Sequence, residues 1–515
     1  MFQTVAVLDF GSQYTGLIVR RLRELRVFAR PFPATVSAYD LAAVPSLIGI
    51  ILSGGPDSVY DTDAPVPDAE LLHLGVPVLG ICYGAQWLAS ALGSKNAVCP
   101  SGVREGGRAE ARQIALSPLL DGLPDRFDVW MSHGDEVAAL PDGAETFLST
   151  AGCRHAGFAW PEQRIFGVQF HPEVRHTPVG SDLLRNFLYG VCGATGDWAM
   201  PDVARAAVLA IREQVGDEHV VLGLSGGVDS TVVALLLQQA VPHQHICIFV
   251  DNGLLRNGEY ERVMARCGQR FNIRGIRAGD LFFEALADVV DPEEKRKAVG
   301  RVFVDVFARE AKTISGAKWL AQGTLYPDVI ESAGTTGTGK GGAVIKSHHN
   351  VGGLPEKLGF GLVEPLRDLF KDEVRELGAA LGLPEEECWR HPFPGPGLAV
   401  RVVGEVTPAR VDTVRAADAI VLEEIHAAGW YRKLWQAFAA LLPPMSVGVV
   451  GDRRTYGEVV VLRMVESDDG MTADWANLPV DLARRISTRI TNEVPGVNRV
   501  VYDISSKPPA TIEWE

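Results

Sequence analysis

The sequence predicts an α/β protein with two open, mostly parallel sheets and a smaller α+β region at its C-terminal end. Three observations indicate this fold class. Short apolar runs alternate with segments of helical periodicity over residues 1–190, and the alternation starts again at residue 220. After the prolines within residues 391–397, strand-like runs accompany only two helical segments. The length of 515 residues accommodates about three domains at roughly 150 residues each.

The first predicted domain comprises residues 1–192 and is a sheet covered by helices. Its apolar runs have the length of strands, and its helical segments repeat apolar residues at the helical spacing. The predicted elements are the strands Val5–Leu8, Ile48–Leu52, Val76–Leu79 and Ile165–Phe170 and the helices Thr15–Leu25 and Ala85–Leu92. The glycine-containing stretch Gly193–Asp197 is predicted to be a linker.

The second predicted domain comprises residues 196–391 and repeats the alternation of strands and helices. A proline near the first turn favours a helix start at residue 201. The glycine- and threonine-rich stretch 334–342 is predicted to be mobile. The predicted elements are the helices Pro201–Gln214, Val228–Gln238 and Glu293–Lys312 and the strands Val220–Leu224, Ile246–Val250 and Lys318–Gln322.

The third predicted domain comprises residues 392–515 and has an α+β pattern. Its first helix has a good start, with Thr407 as N-cap and Pro408 at the first helical position. The predicted elements are the strands Ala399–Val403, Ser446–Val450, Glu458–Met464 and Asn498–Ile504 and the helices Pro408–Ala428 and Val480–Glu493.

Composition and charge exclude several classes of protein. With 47% hydrophobic and 22% charged residues, the chain is not mainly disordered. A net charge of −15 disfavours nucleic acid and anionic membranes as partners. The seven cysteines are scattered without a CxxC pair, which indicates free thiols in a reducing cytoplasm and neither a disulfide scaffold nor a zinc site. No apolar run approaches the ~18 residues of a membrane span, and the N-terminus does not read as a signal peptide.

A candidate nucleophile stands between a predicted strand and a predicted helix. In Gly80-Ile-Cys82-Tyr-Gly84 the glycines permit the sharp turn of a nucleophile elbow, and the helix N-terminus favours a thiolate there. A lone cysteine is more often a small buried hydrophobic residue. His171 and Glu173 shift that balance, because two residues apart on an extended strand they point the same way as a base and its orienting carboxylate.

The segments GICYGAQ, FGVQFHPE and LSGGP resemble the class I glutamine amidotransferase family over roughly residues 1–190. The resemblance implies that Cys82 attacks the glutamine side-chain amide and releases ammonia through a thioester. It makes His171 the base and Glu173 the group that orients this base. It also implies that backbone amides near Gly55 and Tyr83 form the oxyanion hole.

A second constellation is the loop Ser225-Gly-Gly-Val-Asp-Ser-Thr231 between a strand and a helix. Its glycines let the backbone approach a phosphate, and the helix N-terminus and three hydroxyls supply donors. The loop lacks a GK[ST] ending, which disfavours a P-loop kinase or GTPase. Because Asp229 lies among phosphate donors, a Mg²⁺ ion is expected between its carboxylate and the phosphates.

This loop resembles that of the ATP pyrophosphatases, which cleave ATP between the α and β phosphates. The resemblance implies ATP as co-substrate and places the adenosine near Val250. The residues expected to bind ATP are Ser225, Gly226, Gly227, Val228, Asp229, Ser230, Thr231 and Val250.

Further segments, at residues 326–332, 346–355, 391–397 and 506–515, resemble the GMP synthetase family, and the likeness runs over nearly the whole chain. It implies that XMP is adenylylated at O2 and that ammonia displaces AMP to give GMP, with the C-terminal domain forming a homodimer. Lys371 corresponds to the family's lid lysine. The implied XMP contacts are Arg296, Gln436, Asp452, Lys507 and Glu513.

Two other functions remain open at this point. The first alternative is another ATP-pyrophosphatase amidotransferase with a different acceptor. The second is a nucleotide sensor that has kept the folds and lost the chemistry. A sensor predicts that a cysteine, histidine or loop residue of the motifs is missing, and none is.

Overall fold

The structure, a computed structural model, describes residues 2–93, 97–333, 359–467, 470 and 472–515. The chain divides into two compact units, Met1–Val203 and Ala204–Glu515. The stretch predicted to be mobile, 334–342, and the segment 346–355 lie outside the described residues. Within the described ranges, no helix combines the length and the apolar character that crossing a bilayer requires.

The first unit is built on a mixed sheet. The central strand β1 is buried on both faces, with Val5, Val7 and Leu8 fully inaccessible, as expected for a parallel strand covered by helices. The strands are β1 (Thr4–Asp9), β2 (Phe28–Pro33), β3 (Leu47–Leu52), β4 (Val78–Ile81), β5 (Val98–Gln113), β6 (Arg126–Val137), β7 (Glu145–Ser149), β8 (Gly157–Trp160) and β9 (Ile165–Val168). The helices are α1 (Thr15–Glu24), α2 (Ala38–Ala42), α3 (Tyr83–Leu92) and α4 (Gly180–Arg185), with 3₁₀ segments Ala69–His73, Pro118–Leu120 and Pro161–Gln163 and a π-helical segment Asn186–Val191.

The strand order of this sheet is β2-β1-β3-β4-β9-β8-β7-β5-β6. The pairings from β2 to β9 are parallel, and those from β9 to β6 are antiparallel. The predicted α/β fold class is confirmed. The antiparallel edge was not part of the prediction.

The second unit contains two sheets. A parallel sheet has the order β12-β11-β10-β13-β14, and a smaller sheet pairs β15, β16, β17 and β18. The strands are β10 (His219–Gly223), β11 (His245–Asp251), β12 (Ile273–Arg277), β13 (Ala317–Ala321), β14 (Gly361–Val363), β15 (Gln436–Val450), β16 (Arg453–Glu466), β17 (Asp474–Trp475) and β18 (Val497–Tyr502).

Helices cover these sheets and begin at recognisable caps. The Asp291 carboxylate accepts the N–H groups of Glu293 and Glu294, and the Thr407 hydroxyl accepts the N–H of Arg410. The helices are α5 (Met200–Val215, which begins in the first unit), α6 (Val228–Ala240), α7 (Glu259–Cys267), α8 (Gly279–Leu286), α9 (Pro292–Lys312), α10 (Tyr326–Ala333), α11 (Lys371–Ala380), α12 (Glu385–Cys388), α13 (Pro408–Ala427) and α14 (Val480–Glu493), with 3₁₀ segments Gly397–Arg401 and Tyr431–Lys433.

One predicted strand is wrong. Residues Ala399–Val403 do not form a strand, because a 3₁₀ turn occupies Gly397–Arg401 and only Val402 makes an isolated bridge, to Leu441. The apolar run reflects complete burial, since residues 398–402 are all inaccessible to solvent. The turn starts at Gly397, whose φ of +62° favours glycine.

The second unit has a continuous hydrophobic core that crosses the predicted boundary between residues 391 and 392. It includes Val221 and Ile248 of the parallel sheet, Val414 of α13, and Leu441 and Leu462 of the smaller sheet. The three-domain division stays a prediction. The shared core means that the phosphate loop and the C-terminal sheet are parts of one packed body.

Candidate active sites

Cys82 lies at the turn between β4 and α3 in a strained backbone conformation. Its φ of +52° is one that residues with side chains rarely adopt. A Cβ atom at Gly80 would lie 2.6 Å from the Ala85 nitrogen, and one at Gly84 would lie 2.4 Å from the Leu52 carbonyl oxygen. Both neighbouring positions therefore require glycine, as the predicted elbow does. The Cys82 N–H donates to the Val168 carbonyl at 2.8 Å, which ties the elbow to β9.

His171 and Glu173 meet the thiol in a buried site. The Nδ1 atom of His171 lies 2.8 Å from Oε1 of Glu173, whose side chain is fully buried. Burial opposes a charge on the imidazole, but hydrogen bonds to Cys82 and Glu173 prevail and raise the pKa of His171 to about 10. The structure thus brings the three predicted residues together. It does so through the turn that follows β9, which ends at Val168, and not along an extended strand.

Besides the His171 imidazole, Sγ of Cys82 has an amide and a backbone carbonyl beside it. The Gln169 Nε2 donates to Sγ at 3.6 Å, and Sγ lies 3.8 Å from the Ser132 carbonyl oxygen. A Cβ atom at Gly54 would lie 3.6 Å from Cβ of Cys82, and one at Gly55 would lie 3.4 Å from Cγ of Tyr83. The segment proposed for the oxyanion hole therefore borders the thiol, and its role stays a prediction.

The phosphate loop is held by its own hydroxyl groups. The Ser230 Oγ accepts the Ser225 N–H at 3.1 Å, and the Thr231 Oγ1 donates to the Gly227 carbonyl at 2.8 Å. Gly226 has a φ of +74°, and α6 begins directly after Gly227. Because these bonds fix the loop, the free N–H groups at the start of α6 present a preformed anion site.

Lys371 and Asp229 form an ion pair at this loop. The lysine Nζ lies 2.7 Å from Oδ1 and 2.5 Å from Oδ2 of Asp229. Lys371 is the first residue of α11, and Asp229 lies in the first turn of α6. Val250 lies near the end of β11, beside β10, so it faces the same edge of the parallel sheet as the loop. The structure therefore brings Lys371, the lysine predicted for the lid, to the loop predicted to bind ATP.

Two of the predicted acceptor residues are in direct contact. The Gln436 Nε2 donates to Oε1 of Glu513 at 2.5 Å. Sequence reasoning missed Arg401, whose fully buried guanidinium pairs with Glu513 at 3.0 Å and with Asp418 at 3.4 Å. Its only sequence signal was an arginine inside an apolar run.

The other acceptor residues have separate partners. Arg296 donates to the main-chain oxygen of Glu515, whose carboxylate pairs with the fully buried Lys295. The Lys507 Nζ donates to the Gly470 carbonyl at 2.7 Å. Asp452 lies apart from this group, in the turn between β15 and β16, whereas Gln436 pairs with Val465 at the opposite end of that hairpin.

Comparisons with known proteins cover the whole chain. A family model described as glutamine amidotransferase class-I matches residues 6–191, one described as NAD synthase matches 204–270, and one described as GMP synthase C terminal domain matches 423–514. A protein named GMP synthase (glutamine-hydrolyzing) from Thiobacillus denitrificans is 54% identical, with 100% of both chains covered. Proteins of the same name from Solidesulfovibrio magneticus and Aromatoleum aromaticum are 53% and 54% identical, with at least 99% of each chain covered.

Proposed function

The chain belongs to the family of glutamine-hydrolysing GMP synthases, and from this premise we propose that its thiol site and its phosphate loop serve one reaction. XMP, ATP, glutamine and water are converted to GMP, AMP, diphosphate and glutamate, so the enzyme is a ligase that forms a C–N bond in guanine nucleotide biosynthesis. The observation that carries the proposal is the buried contact of His171 with both Cys82 and Glu173. That constellation serves the cleavage of an amide by a thiolate.

The thiol site releases ammonia from glutamine. The Cys82 sulfur attacks the side-chain carbonyl carbon, and backbone amides near Gly55 and Tyr83 stabilise the oxyanion that forms. His171 gives its proton to the leaving nitrogen as the C–N bond breaks, and it then activates the water that hydrolyses the thioester to glutamate. Glu173 holds the imidazole through Nδ1 so that the other ring nitrogen faces the sulfur.

The phosphate loop activates the acceptor. The N–H groups at the start of α6, with the Ser225 hydroxyl beside them, bind the β and γ phosphates of ATP, in a loop that the Ser230 and Thr231 hydroxyls hold through the Gly227 carbonyl. The XMP O2 atom attacks the α-phosphorus, diphosphate leaves, and ammonia then displaces AMP from C2. The Lys371 ammonium, already beside the loop, neutralises charge on the leaving diphosphate.

Asp229 fits a magnesium ion that takes its other ligands from ATP. Among the described residues there is no group of three or more His, Cys, Asp or Glu side chains that could hold a metal by itself. One carboxylate together with phosphate oxygens is a donor set that Mg²⁺ accepts at nucleotide sites. When bound there, the ion would supply positive charge to the phosphates. In the structure, the Asp229 carboxylate pairs with another positive charge, the Lys371 ammonium.

The acceptor site is proposed at Arg296, Gln436, Lys507 and Glu513, with the cations on the 5′-phosphate and the other two on ribose or base. The contact between Gln436 and Glu513 supports a shared ligand for these two. Asp452, proposed with them from the resemblance, has no such support.

We also propose a cytoplasmic homodimer that forms through the C-terminal sheet. The side chains of Val447 and Val449 lie two residues apart on one face of β15, and Tyr456 is the cross-strand partner of Val447. These three apolar side chains are 43%, 73% and 63% exposed. A contiguous apolar patch of this kind is typical of a contact surface between subunits.

The test measures the release of AMP, diphosphate and GMP by the purified chain, with glutamine or with ammonium as nitrogen source. We expect XMP to be required, and release with another purine nucleotide in its place would favour the alternative amidotransferase. Cys82→Ala should abolish the glutamine-dependent reaction and spare the ammonium-dependent one. Equal loss with both nitrogen sources would contradict the assignment of separate sites.

A further inference from the structure

Arg390 binds the phosphate loop directly, although no motif assigned to the reaction includes it. Its Nη1 donates to the Gly226 carbonyl oxygen at 2.6 Å, and its Nη2 pairs with the Glu259 carboxylate. Glu259 is 3% exposed, and its second oxygen accepts the Arg256 N–H at 3.1 Å. Burial disfavours the charge on this carboxylate, but the cations of Arg390 and Arg256 prevail and lower the pKa of Glu259. The guanidinium of Arg390 is therefore held by a buried anion.

The contact with Gly226 fixes the part of the loop where the backbone is most constrained. Gly226 has a φ of +74°, and a Cβ atom there would lie 3.1 Å from Val263 and 3.2 Å from the Arg390 guanidinium. Because the peptide unit is planar, a fixed carbonyl also fixes the following N–H, that of Gly227. Arg390 therefore sets the orientation of the peptide that leads into α6.

The residues that follow Arg390 belong to the acceptor side. The His391 N–H donates to the Tyr431 hydroxyl at 2.9 Å, and the two rings stack with centroids 3.8 Å apart. The Pro392 carbonyl accepts a hydrogen bond from Gln436 at 3.3 Å, and Gln436 in turn binds Glu513. Three consecutive residues, 390–392, thus connect the phosphate loop with the proposed XMP contacts.

We propose that Arg390 is a positioning residue that holds the phosphate loop in register with the acceptor-binding segment. It aligns the α-phosphorus of ATP with the attacking oxygen of the acceptor nucleotide while contacting neither. This inference rests on the proposed function. Displacement of reacting groups by about 1 Å can cost about a hundredfold in rate, so alignment is the quantity that a variant should lose.

The experiment compares Arg390→Met, Arg390→Lys and Glu259→Gln with the full-length enzyme in the ammonium-dependent reaction. Arg485→Met is the matched control. This arginine lies on α14, its side chain is 53% exposed, and it pairs with Glu424 of α13. The readouts are kcat, the separate affinities for XMP and for a non-hydrolysable ATP analogue, thiol-site glutaminase activity and the melting temperature.

We expect Arg390→Met to lower kcat by about 30- to 100-fold, while each substrate alone binds within about fivefold of the wild type. Arg390→Lys should recover part of the rate, because it keeps the charge but cannot bind Gly226 and Glu259 as a fork. Glu259→Gln should fall between the two, with glutaminase activity and the control unchanged. If Arg390→Met does not fold, the other two variants carry the same expectation.

Three results would overturn the inference: an unchanged kcat, a loss of ATP affinity as large as the loss of kcat, or a rate loss in Arg390→Lys equal to that in Arg390→Met. A wild-type enzyme that releases no AMP in response to XMP would instead refute the proposed function. The two failures are therefore distinguishable.

Discussion

Replacing Glu173 with glutamine tests the thiol site, because it keeps the size of the side chain and removes its charge. The carboxylate is fully buried and lies 2.8 Å from His171, so its charge acts on the imidazole without screening by solvent. The pKa of His171 stands at about 10, against an ordinary value of 6.5. That difference corresponds to roughly 5 kcal/mol in favour of the imidazolium. Glu173 and Cys82 both contribute to this stabilisation.

When an amide replaces the carboxylate, burial continues to disfavour the imidazolium, and the pKa of His171 should fall. The amide also holds the correct tautomer less firmly, and the loss of such an orienting carboxylate costs up to about 10⁴-fold in a comparable triad. We expect Glu173→Gln to lower glutamine-dependent kcat by about 10²- to 10⁴-fold and to slow the alkylation of Cys82 at neutral pH. The ammonium-dependent rate should stay within about twofold of the wild type, because the second unit is untouched.

The assay follows glutamate release and AMP release separately, with Glu162→Gln as the control, because Glu162 is exposed in the same unit. Glutamine-dependent activity within threefold of the wild type would refute the orienting role. A parallel loss of the ammonium-dependent reaction would show that the substitution disturbs more than the thiol site.

Three further predictions concern the second unit. Asp229→Asn should impair AMP release with either nitrogen source and raise the Mg²⁺ concentration needed for half-maximal rate, and an unchanged Mg²⁺ dependence would remove the metal role. Lys507→Ala should raise the KM for XMP by about ten- to a hundredfold with ATP affinity unchanged, whereas a lower melting temperature alone would make its contact with Gly470 structural. Burial lowers the pKa of His391 to about 4, so the unfolded chain binds a proton between about pH 6.5 and 4 that the folded chain does not. The free energy of unfolding should therefore decrease, by at most about 3 kcal/mol, as the pH is lowered through that window. Denaturant titrations at pH 7 and pH 5 should show a smaller decrease for His391→Gln than for the wild type.

The features that the sequence predicted well are local ones. The elbow at Cys82 and the loop at residues 225–231 each lie within a few residues, and their glycines meet local steric requirements. The helix Pro408–Ala427 matches its prediction closely because Thr407 caps it and Pro408 occupies its first position, and Val480–Glu493 matches its predicted bounds. For such elements, the chain needs little information from distant residues.

The antiparallel edge of the first sheet was missed although a signal existed. In β6, Phe127, Val129 and Met131 are buried and alternate with more exposed residues, which is the period of a strand with one covered face. In contrast, the run Ala399–Val403 was misread because burial on all sides removes periodicity. An apolar run of that length does not distinguish a strand from a buried turn.

The acceptor site shows why resemblance supplies residue identities and not distances. Glu513 reaches Arg401 across 112 positions and Gln436 across 77, so no spacing in the sequence indicates these contacts. Arg401 and Glu513 stabilise each other, since a buried charge without its partner would be costly. Asp452 was assigned from the same resemblance as Gln436 and Glu513. It lies at the far end of a hairpin whose strands are 15 and 14 residues long. At about 3.3 Å per residue, such a strand places its ends more than 40 Å apart if it runs straight. Within one chain, a single nucleotide does not bridge that length, so Asp452 can reach the proposed site only if the hairpin folds back or a second copy of the chain contributes it.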